Sequence, residues 1–191
     1  MSASPGDRTP APRRADARQN RARILEVASA ALDVEPDATL QSIAAAAGVG
    51  QATLYRHFPT REALLAEVYR DDFERLVDAS ADLLSRHEPD AALRAWLDVL
   101  AAFGRRKHAL SHVLDAATRD ELHHEQYDRI IAAIDRLLAA GQSGGTLRPD
   151  ARAEDVLPLV SFLWRLDTRV DDRVPHLLNL VVDALRVRPP R

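Results

Sequence analysis

The stretch from Thr39 to Thr60 constrains this chain more than any other, because it sets two helical runs on either side of a three-residue break, Gly48-Val49-Gly50. Four successive alanines, Ala44 to Ala47, close the first run and let a neighbouring helix come near. Gly48 stands where the chain must reverse sharply, a place for a positive φ that residues with a Cβ adopt only at a cost. Val49 is set to plug the corner. The second run, about Gln51 to Phe58, has Leu54 and Phe58 on one side and Gln51, Thr53, Tyr55, Arg56 and His57 on the other. Thr39 and, after Pro59, Thr60 supply hydroxyls that can cap the helices they precede.

Upstream, Asp16 and Gln19 have capping-box spacing, and Ile24, Ala28, Ala31 and Leu32 form one apolar helix face that Pro36 ends. Three helices within 16–58, the last two joined by a glycine turn, make a helix-turn-helix. A third helix that is polar outward and apolar inward suits the major groove of DNA. Charge agrees with that placement: residues 1–61 carry a net +2 and residues 62–191 a net −5, within an overall −3. A mildly basic head on an acidic body fits localised contact with a polyanion. Residues 1–15, with Pro5, Pro10 and Pro12 and no apolar period, read as a disordered basic arm. Arg18 and Arg21 at its end either reach a groove or phosphates, or form a solvated face.

The rest also reads as helix, for an all-α chain of about nine helices. A long helix from Thr60 to about Arg86 carries Leu64, Leu65, Val68, Tyr69, Phe73 and Leu76. One after Pro89 carries Leu93, Trp96, Leu97, Leu100 and Phe103 and weakens at Gly104. A short piece covers about 107–117, and a further helix about 121–140. Gly141 to Gly145 reads as a flexible loop. Two helices at about 153–168 and 172–187 are apolar on more than one side, so they need cover beyond their own fold, and a second copy is the expected cover. With no cysteine, disulfides, thiolate metal sites and cysteine nucleophiles are excluded. No His-Glu-x-x-His and no phosphate-cradling loop points to an enzyme. No run is long and apolar enough to span a membrane, and the first residues lack a signal peptide's apolar core, so the expected place is the cytoplasm and no membrane partner is expected.

The string Thr39 to Leu65, TLQSIAAAAGVGQATLYRHFPTREALL, resembles the TetR family of transcriptional regulators, and its Gly50 and the Tyr-Arg-His-Phe-Pro-Thr-Arg-Glu run resemble the SbtR-like branch. The resemblance implies a three-helix DNA-binding head over 16–60 and a ligand-binding and dimerisation body over 61–191. It implies a homodimer on double-stranded, near-palindromic operator DNA, a repressor released by a small-molecule effector, and no cofactor. It places Thr39 and Gln41 at phosphates and the groove edge, Gln51 and Thr53 at bases or phosphates, and Tyr55, His57 and Arg61 at phosphates. Arg56 takes a base or a phosphate. Gly50 departs from the family's usual serine and loses a capping hydroxyl; Ala52 offers a methyl suited to a thymine methyl.

The body is less specific. Trp96, Phe103, His108, His112, Tyr127 and Phe162 are either walls of the effector pocket or ordinary core and interface residues. His108 and His112 lie one helical turn apart, but no third ligand is fixed, so no metal is assigned. Leu159, Leu163, Trp164, Leu177, Leu180 and Val181 are the expected dimer contacts. Pairing through about 153–187 sets two recognition helices about 34–36 Å apart, and an effector acts by shifting the long helix that begins at Thr60.

Overall fold

A computed structural model describes residues 11–35, 37–110, 116–165 and 171–187, with side chains described for 16–35, 37–105, 126–163 and 172–187. Among these residues there are eight α-helices and two 3-10 segments, and no β-strand. The helices are α1 (Ala11–Val34), α2 (Leu40–Ala46), α3 (Gln51–His57), α4 (Arg61–Leu84), α5 (Pro89–Leu110), α6 (Ala116–Ser143), α7 (Ala153–Leu159) and α8 (Val174–Leu185). The 3-10 segments, Ser161–Arg165 and Asp171–Arg173, lie between α7 and α8. The chain divides into two compact units, residues 1–68 and 69–191, and the division falls within α4.

In the first unit, Ile24, Leu25 and Ala28 of α1, Ile43 and Ala44 of α2, Leu54 of α3, and Leu64 and Val68 of α4 close on one another, with Phe58 and Ala47 from the turns. α1 begins at Ala11, so the arm expected over 1–15 loses its last five residues to helix. Pro12 does not oppose this, because the N–H it lacks is one the first helical turn leaves unpaired anyway.

In the second unit, Trp96 is fully buried and its indole Nε1 donates to the Leu76 carbonyl at 2.8 Å. Phe103 lies between Tyr69 and Phe73, at 5.2 and 5.9 Å between ring centroids. The Tyr69 hydroxyl donates to Gln126 Oε1 at 2.7 Å, and burial pushes the Tyr69 phenol well above its usual range, against the opposing effect of that bond. At the surface, Arg129 of α6 makes two bonds of 2.6 Å to the Glu74 carboxylate while lying 5.2 Å from the Phe73 ring centroid.

Further boundaries depart from the sequence expectation, and α6 begins at Ala116, so among the described residues the piece expected over 107–117 falls to the ends of α5 and α6. α5 runs through Gly104 to Leu110, since one glycine costs a helix only about 1 kcal/mol and packing overrides it. α6 continues through Gly141 to Ser143, so the expected loop starts later. Glycine is required at 141 by space, because a Cβ there would run into the Leu147 side chain. The helix expected over 153–168 stops at Leu159: Pro158 has no N–H for the α-helical ladder, and the chain tightens to 3-10 from Ser161.

Candidate nucleic-acid interface

α2 and α3 have seven residues each, too few to persist alone, so their ends must be held from outside. At the start of α2, the Thr39 hydroxyl accepts from the Ser42 amide at 3.1 Å, and the Ser42 hydroxyl accepts from the Thr39 amide at 3.0 Å. These reciprocal bonds form a capping box. At its end, the Gly48 amide donates to Ala45 O at 3.1 Å and the Val49 amide to Ala44 O at 3.0 Å. That pair of bonds is a Schellman turn, and it needs Gly48 at its φ of +64°. Val49 packs against the core of the unit and fills the corner.

α3 starts at Gly50, whose carbonyl accepts from Thr53 and Leu54 at 2.9 and 3.1 Å but which offers no side-chain cap. Its φ of −66° does not demand glycine, and a Cβ there meets open space. Leu54 and Phe58 anchor the helix inward, both essentially inaccessible. Gln51, Ala52, Tyr55 and Arg56 are exposed, Tyr55 at 48%, while Thr53 and His57 are half-buried. Exposed Thr39 and Gln41 belong to the start of α2. Half-buried Arg61 donates from Nε to the Ala38 carbonyl at 3.4 Å, which brings the first turn of α4 to the start of α2. Thr60 caps α4 through the Ala63 amide at 3.1 Å. Next to it the Glu62 carboxyl is held below its usual range by its own backbone amide, then by the Thr60 hydroxyl and the Arg61 charge. The arrangement is a row of donors and a cation on a surface whose reverse side is core.

Two arginines of α1 separate. Arg18 is exposed. Arg21, expected either at a groove or phosphates or on a solvated face, is paired with Glu67 of α4 and lies 5.4 Å from the centroid of the Phe58 ring. It stands inside α1, on the side that carries Ile24, Leu25 and Ala28 to the core. Ser42 and Glu67 escape a reading of local pattern: Ser42 stands where a capping box usually has Glu or Gln, and Glu67 meets Arg21 across 46 positions of sequence.

The body residues do not form one set. Trp96 and Phe103 are core, Phe162 is half-buried and Tyr127 is 47% exposed. His112 lies outside the described residues, as do the side chains of His108 and Trp164. Among the described residues no group of His, Cys, Asp or Glu could hold a metal ion. Leu159 and Leu180 are exposed, and Leu177 and Val181 half-buried. Leu163 is fully buried within its own chain and unavailable to a partner, because the break after α7 turns it inward. Gly141-Gln142-Ser143-Gly144-Gly145 has the spacing of a serine-nucleophile turn, but that turn joins a strand to a helix, and here Ser143 ends a helix. Among the described residues no helix is long and apolar enough to cross a membrane.

Residues 36–68 match the model of bacterial regulatory proteins of the tetR family, and residues 88–187 match the SbtR-like transcriptional regulator C-terminal domain. The HTH-type transcriptional repressor LfrR of Mycolicibacterium smegmatis is 40% identical over 81 residues, 40% of this chain and 41% of LfrR. The match thus spans well under half of that relative's length. A TetR transcriptional regulator of Streptomyces coelicolor has a solved structure 32% identical to this chain, covering 88% of it and 99% of the other, with a TM-score of 0.75. Another from Mycobacterium vanbaalenii is 33% identical over 92% of this chain and 100% of its own, with a TM-score of 0.70. With a capped pair of short helices in the first unit and family matches over residues 36–68 and 88–187, the chain belongs to the TetR family of DNA-binding transcriptional regulators and carries an SbtR-like C-terminal domain.

Proposed function

We propose that this protein is a repressor that binds a near-palindromic operator as a homodimer and is released by a small effector held in its body. In this reading residues 16–60 are the DNA-binding head and 61–191 the ligand-binding and dimerisation part. The observation that carries it is the two-sided α3: Leu54 and Phe58 fix the helix from within, while Gln51, Ala52, Tyr55 and Arg56 stand free to meet a groove. Gln51 and Thr53 meet bases or adjacent phosphates, Ala52 offers its methyl to a thymine methyl, and Thr39, Tyr55, His57 and Arg61 hold phosphates. Gln41 lies at the groove edge and Arg18 at the backbone.

Leu159 and Leu180, 49% and 52% exposed, are apolar surface that a second copy would cover, with half-buried Leu177 and Val181 on the same helix as Leu180. Such a dimer presents two recognition helices about one DNA turn apart, roughly 34–36 Å. An effector that favours one body conformation lowers operator affinity only by its differential affinity for the two states. LfrR, similar over 81 residues, is a transcriptional repressor, which supports the sign of regulation.

The test is binding of the purified protein to duplexes from its own upstream region at several salt concentrations. Tight, sequence-selective and salt-sensitive binding is expected. The double substitution Tyr55→Ala with Arg61→Ala is expected to abolish it while sedimentation still shows a dimer. Unchanged affinity would remove the assigned surface, and a monomer at working concentration would remove the dimer.

A further inference from the structure

Arg21 sits where three helices of the first unit meet. Its guanidinium lies 5.4 Å from the centroid of the Phe58 ring, and its NH2 group donates to Glu67 Oε2 on α4. Phe58 is the C-terminal cap of α3: its amide donates to Leu54 O at 2.8 Å and its ring is 1% exposed. A planar cation can lay its face on a ring while its edge donates to a carboxylate, which a lysine ammonium cannot do in one pose. The neighbouring Arg18 and Arg23 are exposed, and Arg23 donates within its own helix, to Asn20 Oδ1 at 3.2 Å. Arg21 alone of these three reaches from α1 to both the end of α3 and the side of α4.

We propose that Arg21 and Glu67 are positioning residues for the recognition helix: together they clamp Phe58 and so fix where the C-terminal end of α3 lies against α1 and α4. α3 has seven residues and no side-chain cap at its start, so its placement depends on what holds its end. A reading helix loosened by about 1 Å loses aligned contacts with bases and phosphates even though every contacting side chain is still present. The effect on DNA rests on the reading of α3 given above; the clamp itself does not.

Glu67→Gln separates this from direct contact by the sign of its effect. If Arg21 were a phosphate ligand, neutralising Glu67 would release it and remove an anion from the DNA-binding unit. Affinity would then rise and the dependence of log K on log salt would steepen. The clamp requires the opposite: affinity about tenfold lower, a range typical of coupled neighbours, with the salt slope unchanged. Arg21→Lys keeps the charge and is expected to weaken binding in the same way, again at constant slope.

Amide exchange in the free full-length protein reads the clamp without DNA. In both variants the amides of α3 should exchange several-fold faster, while those of α5 and α6 keep their wild-type rates. Tighter DNA binding by Glu67→Gln, or α3 exchange unchanged in both variants, overturns the proposal. Should the wild type ignore every duplex while α3 exchange still responds to both substitutions, the DNA reading falls and the clamp stands.

Discussion

The two units reach helical structure by different routes. In the first, α2 and α3 have seven residues each and are held by named local bonds: the Thr39–Ser42 box, the Gly48 turn and the Phe58 cap. In the second, α5 and α6 have 22 and 28 residues and are held by burial, centred on Trp96, Leu97, Leu100, Ile134 and Leu137. A short helix has one workable arrangement of its ends, so its chemistry is written in specific residues at specific positions. A long amphipathic helix needs only enough apolar side chains at the right period, and many sequences satisfy that. Specificity of residue type therefore belongs to the head, and tolerance of type with sensitivity to volume belongs to the body.

That contrast can be broken. Trp96→Ala removes the largest fully buried side chain of the body together with its bond to Leu76. A loss of about 3–5 kcal/mol is expected in urea unfolding followed by circular dichroism. A loss below about 1 kcal/mol would show that the body does not depend on its core volume. Gly48→Ala adds a single methyl with nothing within 4 Å of it, so only the φ of +64° resists. It is expected to destabilise the head by about 1–2 kcal/mol, read from faster amide exchange in α2 and α3. If the head tolerates it freely, the turn is not the constraint it is taken to be.

Smaller effects sharpen the contrast. Thr39→Ala removes half of the capping box, and about 1 kcal/mol of head stability should go with it in thermal melts. Gly50→Ser restores the missing cap hydroxyl in open space, with an expected gain of a few tenths of a kcal/mol and no loss in a gel shift. Weaker DNA binding by Gly50→Ser would mean that the backbone itself must approach the duplex there.

Legibility followed the same division. The positive φ of Gly48, the cap at Thr39, the corner residue Val49 and the inward pair Leu54 and Phe58 could all be read from type and spacing, because each is a local requirement. Arg21 could not, since its partners Glu67 and Phe58 are distant in sequence and no period announces them. In the body, helix type was legible while ends were not. Gly104 and Gly141 looked like breaks, yet both sit in helix interiors where packing or space decides. Pro158 was a plain stop signal inside a strongly apolar run, and the apolar pattern masked it. Aromatic residues there say that something is buried without saying whether the cover is core, ligand or partner, and Trp96 turned out to be core.

The end of α8 is joined to the loop after α6 by main-chain bonds. The Arg148 amide donates to Leu185 O at 2.8 Å and the Val187 amide to Thr146 O at 3.1 Å, while Leu147 sits against Gly141. A one-turn slide of α8 along its own axis would break both bonds at once. A rearrangement that keeps them swings α8 about this knot, with the largest travel at its N-terminal end and the least at Leu185.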